Sequence, residues 1–417
     1  MFRSYAFTEM GYPYLPPQQF FPNNRVSVPN EFYNPDFGHE LYSKCYDIYA
    51  AADGLGLDVM VNEHHSTATC LNSVVPLSMS ILARETKNAR ILTLGNPLAH
   101  RPDPVRVAEE MATIDVISRG RTEIGFVRGV PQEVLAVNSS AIDMKQRLWE
   151  AIDLIVKAWT THDGPFNWEG EFFNHRQVNI WPRPYQQPHP PIWSPTTNPA
   201  SAPELADRDF TVATLGAGKD GAAAIFESYR ARYRERTGSE PPLERFAVGP
   251  QVYVGDTNEE ADEEAKKLQA WYKEAGRHNF QYSDVPGYLP PATRAKLLRI
   301  KAQGLDPKKF ARPSGPDAPS LAELASLPMT RMTDAGFMIV GDPDSVFAQL
   351  RDFFDHVGGF GNLLMMVHYW TMTVDSTVRS MQRFVSDVLP RFVEEVYVPT
   401  VKGQREVKRP VAARAPS

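Results

Sequence analysis

The stretch LDVMVNEHH, residues 57–65, limits what the chain can fold into more than any other. It opens as a continuous apolar run and breaks abruptly into Glu63, His64 and His65. A short apolar run without alternation is the pattern of a parallel strand buried on both faces. Three ionisable residues directly after such a strand fall at its C-terminal end, which in a closed parallel α/β barrel is where active sites are built. A parallel strand also needs helical crossovers on both sides of it in sequence.

The chain supplies those crossovers. Residues 3–9 read as a first strand, followed by a long Pro- and aromatic-rich loop over 10–37. Loops of that length are uncommon unless they serve a site or a partner. Leu41, Cys45, Ile48, Tyr49 and Ala52 recur at helical spacing over 40–53, closed by Gly54 and Gly56. A second helix spans 72–87, with Val75, Met79 and Leu82 on one face, and a strand over 90–94 ends in Gly95, Asn96 and Pro97. Asp103 caps a helix with Pro104 at its first position, where the missing N–H costs nothing. Residues 121–127 form a fourth strand ending at Arg128 and Gly129, and 144–159 a long amphipathic helix. Residues 162–191, full of Pro, Trp and Phe, read as an excursion. A short strand at 192–193 meets Ser194-Pro-Thr-Thr-Asn198, with a helix around 202–207. The alternation continues through 210–215, a helix to about 236, and 246–254.

It lapses over 276–328, which reads as an excursion over the barrel mouth. Residues 342–356 are helical, 362–367 form the last strand and 374–388 the last helix. Strands and helices thus alternate about eight times. The expected architecture is a (β/α)8 TIM barrel over residues 1–395, with insertions at the C-terminal mouth of the strands. Residues 396–417 form a basic, flexible tail. An open doubly wound sheet is the alternative, but no GxGxxG follows the first strand.

Composition narrows the partners. A formal net charge of −6 gives no reason to expect nucleic acid or an anionic membrane. The 2 cysteines, Cys45 and Cys70, cannot build a disulfide framework or a Cys-based zinc site, which fits a cytoplasmic location. No stretch is long and apolar enough to span a bilayer, and MFRSYAFTEM lacks the pattern of a signal peptide.

Two groups of residues point to chemistry. Imidazole titrates near neutrality, so His64 and His65 suit general acid or base work. Taken alone, a histidine pair reads first as one ring hydrogen-bonded in the core and the other solvated. Glu63, His64 and His65 could also serve a metal-dependent hydrolase, although no HxH or HExxH companion exists. The second group is Arg128 and Arg147 with Ser194, Thr196, Thr197 and Asn198. Helix N-termini carry unpaired N–H groups and arginine a bidentate fork, so this set suits a phosphate. Taken singly, these residues are a turn, an N-cap and surface ion pairs; together they converge on one barrel mouth. Aromatic residues Tyr12, Tyr14, Phe20 and Phe21 follow the first strand, and His368, Tyr369 and Trp370 follow the last. First and last strands are neighbours in a closed barrel. The two sets can therefore line one apolar substrate cavity or pin loops to the rim.

The sequence resembles the bacterial luciferase-like family of flavin-dependent monooxygenases, the alkanal monooxygenase α chain in particular. The resemblance is carried by the 57–65 strand, by DPVRVAEEMATIDVISRGRTEIGFVRG at 103–129 and by QRLWEAIDLIVKAW at 146–159. It recurs in GDPDSVFAQL at 341–350 and SMQRFVSDVLP at 380–390. It implies a barrel that binds flavin mononucleotide (FMN) at the strand C-termini. The reduced flavin would be supplied by a separate flavin reductase, with O2 as co-substrate and a small molecule as the acceptor of oxygen. It further implies His64 as the catalytic histidine with His65 beside it, Asn96 against the flavin ring, and Arg128, Arg147 and Thr196 at the phosphate with Asn198 in the same loop. A homodimer through helices 72–87 and 103–119 is implied as well, although their apolar faces could equally be used on the barrel wall.

The sequence departs from the luciferase pattern in places. Val127 stands where the α chain has a reactive cysteine, and Pro195 where it has a glutamate near the phosphate. The flavin site is kept and the substrate pocket differs, so light emission from a long-chain aldehyde does not carry over. The expected reaction is hydroxylation, or oxygen insertion next to a carbonyl, on an apolar or aromatic small molecule. A coenzyme F420-dependent oxidoreductase of the same superfamily is the main alternative, and a non-catalytic flavin-binding subunit a further one.

Overall fold

The computed structural model describes residues 1–401 except 18, 22–25, 131–132, 135, 138, 276–284, 286, 290, 306–318 and 320. Eight strands pair in parallel around a ring: β1 (Arg3–Thr8), β2 (Asp58–Val61), β3 (Ile91–Pro97), β4 (Thr122–Val127), β7 (Ile192–Pro195), β8 (Thr211–Leu215), β9 (Phe246–Gly249) and β12 (Asn362–His368). Pairing of β1 with β12, in register from Arg3 opposite Asn362, closes the barrel. The crossovers are α1 (Pro35–Gly54), α2 (Val75–Glu85), α3 (Pro104–Ser118), α4 (Met144–Thr160), α5 (Ala202–Asp207), α6 (Gly218–Thr237), and later helices that include α7 (Asn258–Ala275) and Pro343–His356.

Alternation along each strand divides the core into two layers. Tyr5, Phe7, Met60, Leu92, Leu94, Trp193, Ala213, Ala247, Leu364 and Met366 pack together inside the ring. Ala6, Val59, Val61, Ile91, Ile124, Val212, Val248, Leu363 and Met365 pack outward on the helices. Both faces are therefore buried, which is why the strands read as apolar runs.

The N-terminal end of the barrel is latched by charge. Arg3 pairs with Asp58 at 2.9 Å, Arg90 pairs with Glu123, and the Tyr5 hydroxyl donates to Glu123 at 3.1 Å. That leaves the opposite mouth for chemistry.

Several elements differ from the sequence reading. α1 begins five residues before 40 because Asn34 accepts hydrogen bonds from the N–H groups of Asp36 and Phe37, with Pro35 at the first position. The 162–191 excursion contains an antiparallel hairpin, β5 (Phe166–Glu169) and β6 (Asn174–Val178), outside the barrel. The strand over 246–254 is two, because Pro250 interrupts it: β9 stays in the ring and β10 (Gln251–Val254) leans away to pair with β11 (Met338–Gly341). Much of 276–328 and all of 402–417 lie outside the described residues. Within 276–328, Val285 packs with Ala99, Val134, Ala141 and Met144 beside the mouth, and residues Pro291–Ala302 are helical. No helix among the described residues is long and apolar enough to cross a membrane.

Candidate active site

The chain leaves β2 at Val61 and the next four residues form one side of the mouth. Asn72 pins this exit: its amide donates to the Asn62 carbonyl at 2.7 Å, and its own carbonyl accepts from the His64 N–H at 3.1 Å. Glu63 has no exposed side-chain surface. Its carboxylate accepts from the Val75 N–H at 2.9 Å, so it caps α2 where the helix dipole is positive. It also binds Arg101 and lies 2.9 Å from His65 Nε2. That hydrogen bond is the main cause that raises the His65 pKa above the ordinary imidazole value, against burial. Glu63 is thus a structural anchor, and His65 is tied to it. Among the described residues no group of three His, Cys, Asp or Glu side chains is disposed to hold a metal.

His64 is disposed differently. Its side chain is 20% exposed, and Nδ1 lies 3.0 Å from Oε1 of Glu133, whose own side chain is 1% exposed. Glu133 arrives on the loop after β4, five residues beyond Arg128. Nothing in sequence spacing singles it out, because the contact bridges 69 positions. His100 likewise belongs to no sequence motif. Its ring lies against Gly129, where an added Cβ would come 2.4 Å from Cε1, and Gly129 has φ +95°. Burial lowers the His100 pKa to about 4, so the ring is neutral, and neither ring nitrogen has a hydrogen-bond partner among the described residues.

Asn96 lies near the end of β3, just beyond the cis peptide Leu94–Gly95. It is wholly buried, and both its amide nitrogen and its carbonyl oxygen lack partners among the described residues. A buried amide with unmet groups costs about 1–3 kcal/mol relative to one that is satisfied. Such a cost is characteristic of a site that a ligand completes. The strand backbones are close here, since a Cβ on Gly95 would meet Val127 Cγ1 at 2.7 Å.

The cationic set follows two neighbouring strands, β4 and β7, which pair at Ile124–Ile192. Among the described residues neither Arg128 nor Arg147 forms an ion pair. The Arg128 guanidinium rests 4.0 Å from the Tyr288 ring centre and that of Arg147 4.5 Å from Phe173. Burial lowers the Arg147 pKa somewhat, against the nearby Glu150. Glu150 itself accepts the N–H groups of Glu171, Phe172 and Phe173, which fixes the hairpin turn under Arg147. Thr196 Oγ1 accepts the Asn198 N–H at 3.0 Å, Asn198 Oδ1 accepts the Ala200 N–H at 3.1 Å, and Thr197 is exposed. Ser194 turns away, donating to the Phe126 carbonyl at 3.0 Å. Two guanidiniums that form no ion pair among the described residues, a hydroxyl-bearing loop and an amide without described partners together fit a cofactor with an anionic tail and a polar ring edge.

The aromatic residues divide. Tyr14 and Trp370, from the loops after β1 and β12, approach with ring centres 6.5 Å apart, as closure of the ring requires. Tyr14 is exposed, and Tyr369 is buried against Trp370 and joins the inner core. Tyr12 is buried and committed to its own loop: its hydroxyl donates to the Phe32 carbonyl and accepts the Asn34 N–H. Phe20 is exposed and Phe21 packs on Phe32. His368 belongs to the helix layer, where Nδ1 lies 2.8 Å from Thr377 Oγ1. Burial, helped by Lys44, lowers its pKa to about 4.

A family model described as luciferase-like monooxygenase matches residues 35–359. The oxygenase component of the flavin-dependent trigonelline monooxygenase of Acinetobacter baylyi is 28% identical over 244 residues, 57% of this chain and 66% of that protein. The chain thus spans slightly less than two thirds of that relative. Among solved structures, the oxygenating constituent of 3,6-diketocamphane monooxygenase from Pseudomonas putida, a type II Baeyer–Villiger enzyme in complex with FMN, superposes with a TM-score of 0.67. The match has 20% identity and covers 94% of this chain and 99% of that one. The coenzyme F420-dependent tetrahydromethanopterin reductase of Methanopyrus kandleri superposes with a TM-score of 0.60 at 14% identity, covering 94% and 99%. At these identities the likeness to both structures is one of fold. The family match covers most of the chain, and the protein belongs to the luciferase-like monooxygenase family.

Proposed function

We propose that the protein is the oxygenase of a two-component monooxygenase that uses reduced FMN from a separate flavin reductase, together with O2. The observation that carries this reading is a set of polar groups at one barrel end: the buried Asn96 amide, without a hydrogen-bond partner among the described residues, and two guanidiniums that form no ion pair among them. In this reading Arg128 and Arg147 hold the phosphate, with Thr196, Thr197 and Asn198 at the adjoining helix start. Ser194 braces that loop from β4. Asn96 would offer its amide to the polar edge of the ring. Bound reduced FMN supplies the electrons for O2. His64 holds or moves a proton at its Nε2 atom, while His65 keeps the Glu63 anchor in register.

Tyr14, Tyr369 and Trp370 bound the substrate side, with Tyr12 and His368 shaping it from behind. Their apolar surface suits an aromatic or carbonyl-bearing small molecule, and the relatives named for trigonelline and diketocamphane are of that kind. The exposed apolar residues Val74, Leu77 and Ile81, on and just before α2, and Val116 and Ile117 on α3 support a homodimer through those two helices. The low cysteine content supports a cytoplasmic location.

The test is His64→Ala, assayed against a panel of cyclic ketones and N-heteroaromatic acids with a generic flavin reductase. The variant should still bind FMN but convert reduced flavin mostly to hydrogen peroxide, with product formation down by about 10²-fold or more. Full coupling in the variant would refute the role given to His64.

A further inference from the structure

We infer that Glu133 is the positioning residue of His64: it fixes the imidazole as the tautomer protonated on Nδ1 and leaves Nε2 as the basic atom. This inference rests on the role proposed above for His64. Glu133 is 1% exposed, and a carboxylate that deeply buried requires a donor. The described donor within reach is His64 Nδ1 at 3.0 Å. The other nearby imidazoles are unavailable. His65 is bonded through Nε2 to Glu63, and Arg101 is bound to the same Glu63. His100, although close enough to feel the Glu133 charge, makes no hydrogen bond. Glu133 therefore directs the Nδ1 proton, and Nε2, which makes no hydrogen bond among the described residues, keeps its lone pair on a ring that is 20% exposed.

The position of Glu133 in the chain adds a second consequence. Arg128, Gly129 and Glu133 occupy one short loop after β4, braced by His100 under Gly129 and by the Tyr288 hydroxyl, which donates to the Gly129 carbonyl at 3.2 Å. The loop that would grip the phosphate thus also orients the base. An ionised acid that orients a histidine through Nδ1 is a general device for fixing which nitrogen does the chemistry.

The test needs no substrate and no cofactor. Protein labelled with 15N in histidine is examined over a range of pH, the spectrum being read where the 15N shifts no longer change with rising pH, and the His64 resonances are assigned by their loss in His64→Gln. The wild type should show a protonated Nδ1 and an unprotonated Nε2, because Glu133 accepts the Nδ1 proton. Glu133→Gln should shift the ring toward the Nε2-protonated form, and Glu133→Asp should retain the wild-type pattern at least in part. An Nε2-protonated ring in the wild type overturns the inference without reference to any variant, as does an unchanged tautomer in Glu133→Gln. Failure of FMN to bind would sink the proposed function but would leave the tautomer result readable.

Discussion

The guanidinium of Arg101 sets one nitrogen 2.9 and 3.2 Å from the two carboxylate oxygens of Glu63, joining the exit of β2 to the loop after β3. The same carboxylate caps α2 and anchors His65 within its own segment, so three elements of the mouth, the exit of β2, the loop after β3 and α2, meet on one side chain. Removing one partner of a buried pair leaves the other charge uncompensated. Glu63→Ala should therefore destabilise the protein by about 3 kcal/mol, read as a lower midpoint in thermal or urea unfolding. A double mutant with Arg101→Met should recover part of that loss. An additive double mutant would show that the two residues do not act together.

Asn96 should trade stability against binding. Its amide is buried with both ends unmet, so an apolar residue of similar shape removes that cost. Asn96→Leu should leave the cofactor-free protein as stable as wild type, or more stable by about 1–2 kcal/mol. Its FMN affinity should fall roughly tenfold or more, the worth of one or two lost hydrogen bonds. Loss of stability with unchanged affinity would mean that the amide serves packing alone.

Acid should weaken the fold through two histidines. Burial holds the pKa of both His100 and His368 at about 4, below the ordinary value of about 6.5 for an unfolded chain. Their contribution is complete above pH 6.5 and is lost as pH falls toward 4, since the unfolded state binds the extra protons. Each should account for about 2–3 kcal/mol across that window. His65 acts in the opposite sense: its raised pKa gives stability below the unfolded value that is lost as pH rises through the folded one. In denaturant unfolding at several pH values, His368→Gln should flatten the dependence between pH 6.5 and 4 by up to one proton. An unchanged slope would contradict the assignment.

The sequence made the barrel legible because strands buried on both faces are continuous apolar runs, and because Asp103-Pro104 and Arg119-Gly120 mark helix ends chemically. The break at Pro250 divides what reads in sequence as one apolar run over 246–254, and β11 lies between the 276–328 stretch, where the alternation lapses, and the helix that follows it. At the mouth, chain order alone puts His64, Asn96 and Arg128 at or just after strand ends, and the structure has them there. The contacts of Glu133, Arg101 and His100 run across the mouth, and no local spacing encodes them. His368 shows the converse: it follows the strand end as expected, yet its hydrogen bond to Thr377 places it in the helix layer.

The most direct measurement compares cofactors in air. The protein is loaded anaerobically with photoreduced FMN or with reduced F420, and absorbance and O2 are followed after oxygen is admitted. Tight binding of reduced FMN is expected, with O2 consumed and oxidised FMN returning on a slow course set by the protein. Arg128→Ala should weaken that binding roughly 10- to 100-fold, as expected for charge-assisted hydrogen bonds. Binding of reduced F420 alone, with FMN reoxidising as it does free in solution, would contradict the account.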